Sequence, residues 1–306
     1  MPTVLNSNFA ASSASLNLSR ARDGLSKSLE RLSSGKRINS PADDAGGLAV
    51  AYKIKSKGSR SLATMQNMQN ALSYLQVQDG AMEAAGRIFD RFAQLRVMAS
   101  DITKNSGDVE NYSKEFVELQ IQLDQIKVQT FNGLSLFAEN GGPPGSNGMK
   151  GTGTYRATDG TVSIYQKFGR KLQVSPSGSD QSVSINVINF EFVASYDALA
   201  LPNVQINANG YADRITDFPV SIITEVLGKI ADARAENGAE QNRVMQALQF
   251  MEINYTNMEA AHGRIMDTDI AYESTRFARG NVLVQSAAAM TAQANQLPNV
   301  VLTLIQ

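Results

Sequence analysis

Apolar residues recur every seven positions at the start of the chain, which predicts a long helix with one buried stripe. Small residues, Ala and Ser, lie three positions after the large ones, an alternation typical of helices that approach closely. The first stripe consists of Val4, Ala11, Leu18, Leu25 and Leu32. The second stripe, near the other end, consists of Leu283, Met290, Leu297 and Leu304, interleaved with Ala287, Ala294 and Val301. We therefore predict that the two ends pack against each other as a coiled coil.

Further helical stripes follow the first end and precede the last one. The longest predicted helix extends to about residue 100 and starts at Ser40-Pro41-Ala42-Asp43, where Ser40 is the expected N-cap. Asp267-Thr268-Asp269 predicts a break before the final helix. The predicted core positions are Met68, Leu75, Met82 and Phe89, then Phe116, Leu119, Leu123 and Ile126, then Val244, Leu248, Met251, Tyr255, Met258, His262 and Ile265. These segments are expected to form an antiparallel bundle.

The middle of the chain has a different composition, rich in Gly, Ser, Thr, Asn and Val. Alternating runs at 161–165 and 182–188 predict half-exposed strands. The predicted fold is mainly α, a long antiparallel bundle or coiled coil formed by both chain ends, with a small β-rich central insertion. The predicted parts are an inner coiled-coil domain (1–40 and 269–306), a helical rod domain (41–139 and 220–268) and a variable β-rich surface domain (140–219).

Charge and cysteine content exclude several classes of function. The 306 residues carry a net charge of -1, which gives no general attraction to nucleic acid, and there is no Cys for disulfides or thiolate metal sites. The first 20 residues lack a basic segment followed by an apolar one, so we expect no cleaved secretory signal. Residues 281–306 are uncharged but contain many Asn and Gln side chains, so no membrane span is expected there.

Candidate chemistry is sparse, and we predict neither an enzyme nor a metal or cofactor site. His262 is the sole histidine and falls on a helical stripe, which favours a packed side chain. Asp43 and Asp44 are expected to cap a helix rather than to bind a metal ion. Asp267-x-Asp269 lacks the other ligands of a calcium loop, and no His-Glu-x-x-His string occurs.

The two ends are also expected to be the least stable part of the chain. About half of the stripe positions in the first 40 residues are Ala or Ser, so an isolated helical hairpin buries too little apolar surface to offset its ordering entropy. The hypothesis is that both ends fold only when neighbouring subunits supply the missing surface. Pro298 lies inside the last helical pattern and is expected to kink or end that helix.

Several strings resemble those of bacterial flagellins. The run 30–45, Glu-Arg-Leu-Ser-Ser-Gly-Lys-Arg-Ile-Asn-Ser-Pro-Ala-Asp-Asp-Ala, resembles the N-terminal signature of the family, and 292–302 resembles its other end. Thr130-Phe131-Asn132-Gly133 and Glu240-Gln241-Asn242-Arg243 resemble further landmarks. The resemblance covers about residues 3–139 and 220–306, in the family's order.

This resemblance implies a structural subunit that self-assembles into the helical flagellar filament, an extracellular propeller for motility. The subunit-assembly residues would be the nine heptad positions of the two ends: Val4, Ala11, Leu18, Leu25, Leu32, Leu283, Met290, Leu297 and Leu304. The implied partners are identical subunits, an export chaperone at the C-terminal helix, the flagellar export apparatus that secretes the chain, and the cap and junction proteins. The resemblance also places contacts for a mammalian Toll-like receptor at Arg91, Leu95 and Glu118.

Two alternatives remain open from the sequence. A hook-associated filament-junction protein shares the terminal helices, although Asn295-Gln296 and the match at both ends favour flagellin. A surface adhesin or receptor ligand would instead act through residues 141–218.

Overall fold

A computed structural model describes residues 8–138, 151–156, 162–175, 182–193 and 211–305. The helices are α1 (Phe9–Ser34), α2 (Ala45–Ala99), α3 (Ser106–Lys127), the short α4 (Phe190–Val193), α5 (Val220–Met266) and α6 (Ile270–Ile305), with a 3-10 turn at Ile215–Asp217. The strands are β1 (Thr130–Phe131), β2 (Leu134–Ser135), β3 (Phe137–Ala138), β4 (Gly151–Arg156), β5 (Val162–Gln173) and β6 (Ser182–Asn189). The predicted fold class, mainly helical with a β-containing centre, is confirmed.

Two compact units divide the chain, one at residues 60–254 and the other at 1–59 together with 255–306. We call them the central unit and the terminal unit. These units do not test the domain boundaries expected from the composition, because α2 and α5 each contribute to both units. The five predicted domain ranges therefore stay predictions.

The core of the central unit follows the predicted heptads of α2. Met68, Leu75, Met82 and Phe89 are all buried, which confirms that apolar residues at this spacing share one helix face. The α3 stripe is confirmed too, with Phe116, Leu123 and Ile126 buried and Leu119 half-buried.

Buried amides connect α2, α5 and the chain after β2 within this core. The Gln78 side chain donates from Nε2 to the carbonyl oxygen of Leu136 at 2.8 Å and accepts from Asn237 Nδ2 at 2.7 Å. Both side chains are almost fully buried, at 0 % and 2 % exposure. Since buried amides are stable only when hydrogen-bonded, these contacts hold α2 and α5 antiparallel in one register.

A two-residue turn joins β1 to β2. Asn132 and Gly133 both have positive φ, at 51° and 75°, the conformation of the turn that matches the twist of paired strands. Glycine adopts it without strain, and asparagine tolerates it better than most residues. Backbone geometry thus accounts for Asn132 and Gly133 in the flagellin-like string at 130–133.

The predicted strands of the insertion are present in the described residues and belong to a four-stranded sheet of order β3-β6-β5-β4. The string at 240–243 anchors this sheet to α5: Glu240 Oε2 accepts from the backbone nitrogen of Asn186 at 2.9 Å, and Arg243 donates to the carbonyl oxygen of Ser184 at 2.6 Å. Burial raises the pKa of the Glu240 carboxyl, although the hydrogen bond from Asn186 opposes the shift. The sheet also supplies Ile185 to the main core, so it is packed as part of the central unit.

The start of α2 differs from the prediction by four residues. Ser40 was the expected N-cap, but residues 40–43 form a turn, and the helix begins at Ala45. Asp44 is the N-cap, because its Oδ1 accepts from the backbone nitrogen of Gly47 at 2.8 Å. The capping function expected of this aspartate pair is therefore confirmed for Asp44.

Candidate functional site: the terminal helical hairpin

Helices α1 and α6 pack antiparallel from Asn8 opposite Ala294 to Arg31 opposite Glu273. Near one end, Asn8 Nδ2 donates to the carbonyl oxygen of Ala294 at 2.8 Å. In the middle Leu25 lies against Gly280, where an added Cβ would be 3.5 Å from the nearest Leu25 side-chain atom. Towards the other end Arg31 faces Glu273. The prediction that the two chain ends are partners is confirmed.

The stripe predicted on α1 faces α6. Ala11, Leu18, Leu25 and Leu32 are all partly buried. Ala14 and Ala21, between them, are partly buried too, while most other positions of α1 are exposed. Ser28 is the one fully buried residue of this helix. Val4 lies outside the described residues. The residues of α1 that face α6 are therefore the predicted ones, but packing on α6 leaves most of them partly exposed.

The stripe predicted on α6 is displaced by one residue at its large positions. Leu283 and Met290 were expected to face α1, but they are 54 % and 65 % exposed. The small residues Ala287 and Ala294 were placed correctly. The residues of α6 that are buried or half-buried in the hairpin are Glu273, Phe277, Gly280, Val284, Ala287, Thr291 and Ala294.

This displacement has a physical reason in the sequence of α6. Val282, Leu283 and Val284 are consecutive, so apolar residues alone do not fix which face is buried. The face that packs on α1 also includes Gly280, which lies against Leu25 but has no apolar side chain for a pattern to mark. The side chains of Leu297 and Leu304 lie outside the described part, although α6 continues as one helix through Pro298.

The hairpin leaves large apolar side chains on its surface. Leu283 and Met290 are seven residues apart and therefore lie on one line of α6. On α1, Phe9 and Leu16 show the same spacing, with exposures of 84 % and 52 %. We call these four residues the outer apolar positions. A helix that is apolar on more than one side is typical of one with more than one packing partner.

A joint of short backbone contacts closes the hairpin at the ends of α1 and α5. Gly35 ends α1 in the left-handed conformation, with φ at 68°, which glycine adopts without strain. Lys36 and Asp267 form an antiparallel bridge, and the backbone nitrogen of Thr268 donates to the carbonyl oxygen of Gly35 at 3.0 Å. Asp269 then caps α6 by accepting from the backbone nitrogen of Tyr272 at 3.1 Å. The predicted break at 267–269 is confirmed.

The turn before α2 is attached to α1 by an ion pair. Lys27 Nζ lies 2.5 Å from Asp43 Oδ1, and Asp43 Oδ2 accepts from the backbone nitrogens of Asn39 and Ser40, each at 3.2 Å. The Lys27 ammonium, then the N–H groups of Ser40 and Asn39, hold the pKa of the Asp43 carboxyl well below its usual range. Asp43 therefore organises the turn as an anion.

One charged pair is buried inside the hairpin. Arg31 Nη1 and Glu273 Oε2 are 3.8 Å apart, and the Glu273 side chain is almost completely buried. Arg31 Nε and Glu273 Oε1 have no hydrogen-bond partner among the described residues. Glu273 is in the first turn of α6 and Arg31 in the last turn of α1, the ends where the helix dipoles favour these charges. Sequence periodicity missed this pair, because charged residues do not count as stripe positions.

Of the three expected receptor contacts, one is unsuitably placed for a direct contact. Leu95 is 0 % exposed and belongs to the core of the central unit. Arg91 is half-exposed, and its guanidinium forms two hydrogen bonds with Glu115, at 2.6 and 3.0 Å. Glu118 is exposed on α3.

Neither a metal-ligand cluster nor a membrane-spanning helix occurs in the residues that the structure describes. They contain no group of three His, Asp or Glu side chains placed to hold a metal ion. Within the same residues, no helix has both the length and the hydropathy needed to cross a bilayer. His262 is half-buried on the α5 stripe, as its spacing predicted.

Comparison with known proteins gives a consistent result at both ends. Residues 5–141 match the bacterial flagellin N-terminal helical region, and residues 220–305 match the bacterial flagellin C-terminal helical region. A flagellin of Halalkalibacterium halodurans is 30% identical over 99% of this chain and 100% of its own length. A Bacillus subtilis flagellin is 28% identical, with 99% of each chain covered, and a flagellar filament core protein of Treponema maltophilum is 29% identical. A solved structure described as a flagellar hook-associated protein from Vibrio parahaemolyticus shares the fold, with a TM-score of 0.55 and 12% identity over 74% of this chain and 100% of that one.

Proposed function

The chain belongs to the bacterial flagellin family, and from this membership we propose which of its surfaces join the subunits of the filament. Both flagellin regions match, in the family's order, and relatives align over nearly the whole chain. The protein is a structural subunit of the flagellar filament, the extracellular polymer that serves motility. The alternative of a hook-associated junction protein is not favoured, since that likeness is one of fold alone.

We propose that subunit contacts are made by the outer apolar positions of the hairpin, together with the stripe residues Val4, Leu297 and Leu304. One observation carries this assignment: Phe9, Leu16, Leu283 and Met290 are all more than half exposed in the single chain. Their burial among neighbours would contribute roughly 1 kcal/mol or more for each side chain. The partly covered positions Ala11, Leu18, Leu25 and Leu32 would serve assembly by holding α1 on α6.

The experiment is seeded polymerisation of purified full-length chains, followed by sedimentation and electron microscopy. We expect the double variant Leu283→Ser, Met290→Ser to slow filament growth by at least about tenfold, because two apolar contacts are lost. Gln293→Ser, at an exposed polar position of the same helix, is the matched control. Normal growth of the double variant would refute the assignment of this surface. Failure of the unsubstituted chain to extend seeds would refute self-assembly itself.

The remaining partners are proposed on family membership. They are the flagellar secretion apparatus that exports the chain, a chaperone that holds the C-terminal helix α6 before export, and the cap and junction proteins. A pull-down with a chain that ends before residue 270 tests the chaperone, which should no longer bind. The alternative of an adhesin acting through 141–218 has no observation in its favour.

Recognition by a Toll-like receptor is proposed only through Arg91 and Glu118. Leu95 would act indirectly, as the buried residue that supports this face of α2. Arg91→Ala should weaken binding of the isolated chain to the receptor ectodomain, and Arg87→Ala, one turn earlier on an exposed position of α2, is the control. Equal binding of the Arg91 variant and the unsubstituted chain would argue against this contact.

A further inference from the structure

Methionine is the main target in this chain for oxidants that transfer an oxygen atom. The sequence contains 11 Met and neither Cys nor Trp. Thiolates, which react readily with such oxidants, are therefore missing, and the thioether is the next most susceptible group. Which methionine reacts first then depends on access to its sulfur atom.

The described residues include nine of these methionines, and their exposure differs widely. Met290, on α6, is 65 % exposed, and Met245, on α5, is 42 % exposed. The others are half-buried (Met65, Met98 and Met258) or buried (Met68, Met82, Met251 and Met266). Among the described methionines, Met290 is therefore the most accessible to a solute.

The position of Met290 makes its oxidation consequential. It lies one heptad from Leu283, on the α6 line next to the face that packs on α1, and both side chains are among the outer apolar positions. Oxidation turns an apolar thioether into a polar sulfoxide whose oxygen needs a hydrogen-bond partner. Burying that oxygen in an apolar contact between subunits would be unfavourable, because no water could solvate it.

We propose that Met290 is a site of reversible oxidation and that its sulfoxide prevents the subunit from joining the filament. The oxidant is hydrogen peroxide: the Met290 sulfur attacks one peroxide oxygen, an S–O bond forms as the O–O bond breaks, and the products are methionine sulfoxide and water. The sulfur is oxidised by two electrons and the peroxide is reduced by two. A thiol-dependent methionine sulfoxide reductase reverses the change. This inference rests on the proposed role of the α6 surface in assembly.

The test treats the purified full-length chain with dilute hydrogen peroxide, locates the added oxygen by mass spectrometry, and then offers filament seeds. We expect Met290 to be oxidised at least about tenfold faster than Met82, in proportion to access. Four chains are compared: unsubstituted, Met290→Leu, Met245→Leu and the double variant. Met290→Leu keeps an apolar side chain of similar size but has no thioether at this position, so its growth rate after peroxide should equal its own rate before peroxide.

The outcomes separate this inference from the proposed function. We expect the treated unsubstituted chain and treated Met245→Leu to stop growing on seeds, and sulfoxide reductase to restore growth. Equal loss of growth in treated Met290→Leu would overturn the inference, because another residue would then be responsible. Oxidation of Met290 no faster than that of Met82, or normal growth with Met290 fully oxidised, would overturn it as well. Failure of the untreated, unsubstituted chain to grow would instead contradict the proposed function, while the mass spectra would still decide the oxidation site.

Discussion

Arg37 donates two hydrogen bonds, from Nε and Nη2, to the backbone carbonyl oxygen of Ile265, at 3.2 and 3.0 Å. Ile265 is in the last turn of α5, where carbonyl oxygens have no partner within the helix. The backbone nitrogen of Arg37 also donates to the carbonyl oxygen of Met266. One residue of the flagellin-like N-terminal string therefore caps a helix that begins more than 180 positions later in the chain. The chain after α1 is therefore held to the end of α5 at this joint.

Arg37→Ala should loosen the joint. The loss of two charge-assisted hydrogen bonds at an exposed site is worth about 1 kcal/mol, which corresponds to about fivefold faster amide exchange at neighbouring protected positions. The amide to follow is that of Thr268, which donates to the carbonyl oxygen of Gly35, measured by mass spectrometry on sedimented filaments. Arg264→Ala, also in the last turn of α5, is the control and should leave this amide unchanged. An Arg37→Ala chain with unaltered exchange at Thr268 would show that the cap contributes nothing.

Gln78→Leu should destabilise the central unit by about 1–3 kcal/mol, because it removes the acceptor of a buried donor, Asn237 Nδ2. It also removes one of two donors to the carbonyl oxygen of Leu136, which keeps the hydrogen bond from the Tyr74 hydroxyl. Urea unfolding followed by far-ultraviolet circular dichroism measures the change. Asn237→Leu should have a smaller effect, and the double variant should be less destabilised than the sum of the two, since they share one contact. Gln66→Leu, at an exposed position of α2, is the control. Strictly additive effects would mean that the two amides do not depend on each other.

The outcome for α2 and α6 shows what periodicity can and cannot predict. On α2 the apolar residues and the buried face coincide, so Met68, Leu75, Met82 and Phe89 were placed from spacing alone. On α6, apolar residues occupy several faces, and the face that packs on α1 includes Gly280 and Glu273. An apolar pattern marks neither residue, because glycine has no side chain and glutamate is charged.

The central sheet shows a second feature that the sequence alone does not predict, namely how the sheet is attached to α5. Its strands were predicted from alternation, but their attachment to α5 depends on contacts between residues more than fifty positions apart, such as Asn186 with Glu240. Contacts of this kind depend on topology, so a single sequence does not reveal them. The flagellin-like string at 240–243 marked the place without indicating the partner.

The stability of the terminal unit should fall in acid because of Asp43. Its folded pKa is depressed, so its contribution is fully present above the unfolded pKa of about 3.9 and is lost as the pH falls towards the folded value. Asp43→Asn should lower stability at neutral pH and flatten this acid-dependent loss. Circular dichroism of seeded filaments between about pH 6 and pH 2 measures both effects. Asp23→Asn, on the exposed side of α1, is the control. A parallel pH dependence in Asp43→Asn and the unsubstituted chain would exclude Asp43 as the cause.

The terminal hairpin should be ordered by assembly rather than by its own packing. In α1, Ser28 is the only fully buried residue, and Leu18 remains partly exposed against α6. Because burial on this scale does not offset the conformational entropy of two long helices, the isolated chain should open its hairpin readily. We expect amide exchange at Leu18 and Leu297 without measurable protection in the free subunit and with strong protection in sedimented filaments. Leu75, fully buried in the central unit, should be protected in both states and so serves as the internal reference.

Strong protection at Leu18 in the free subunit would mean that α1 and α6 stabilise each other unaided. Filament growth would then bury apolar surface that is already formed in the free subunit. A chain that lacks either terminal segment, 1–40 or 269–306, should in that case fail to polymerise because subunit contacts are missing, not because its helices are disordered.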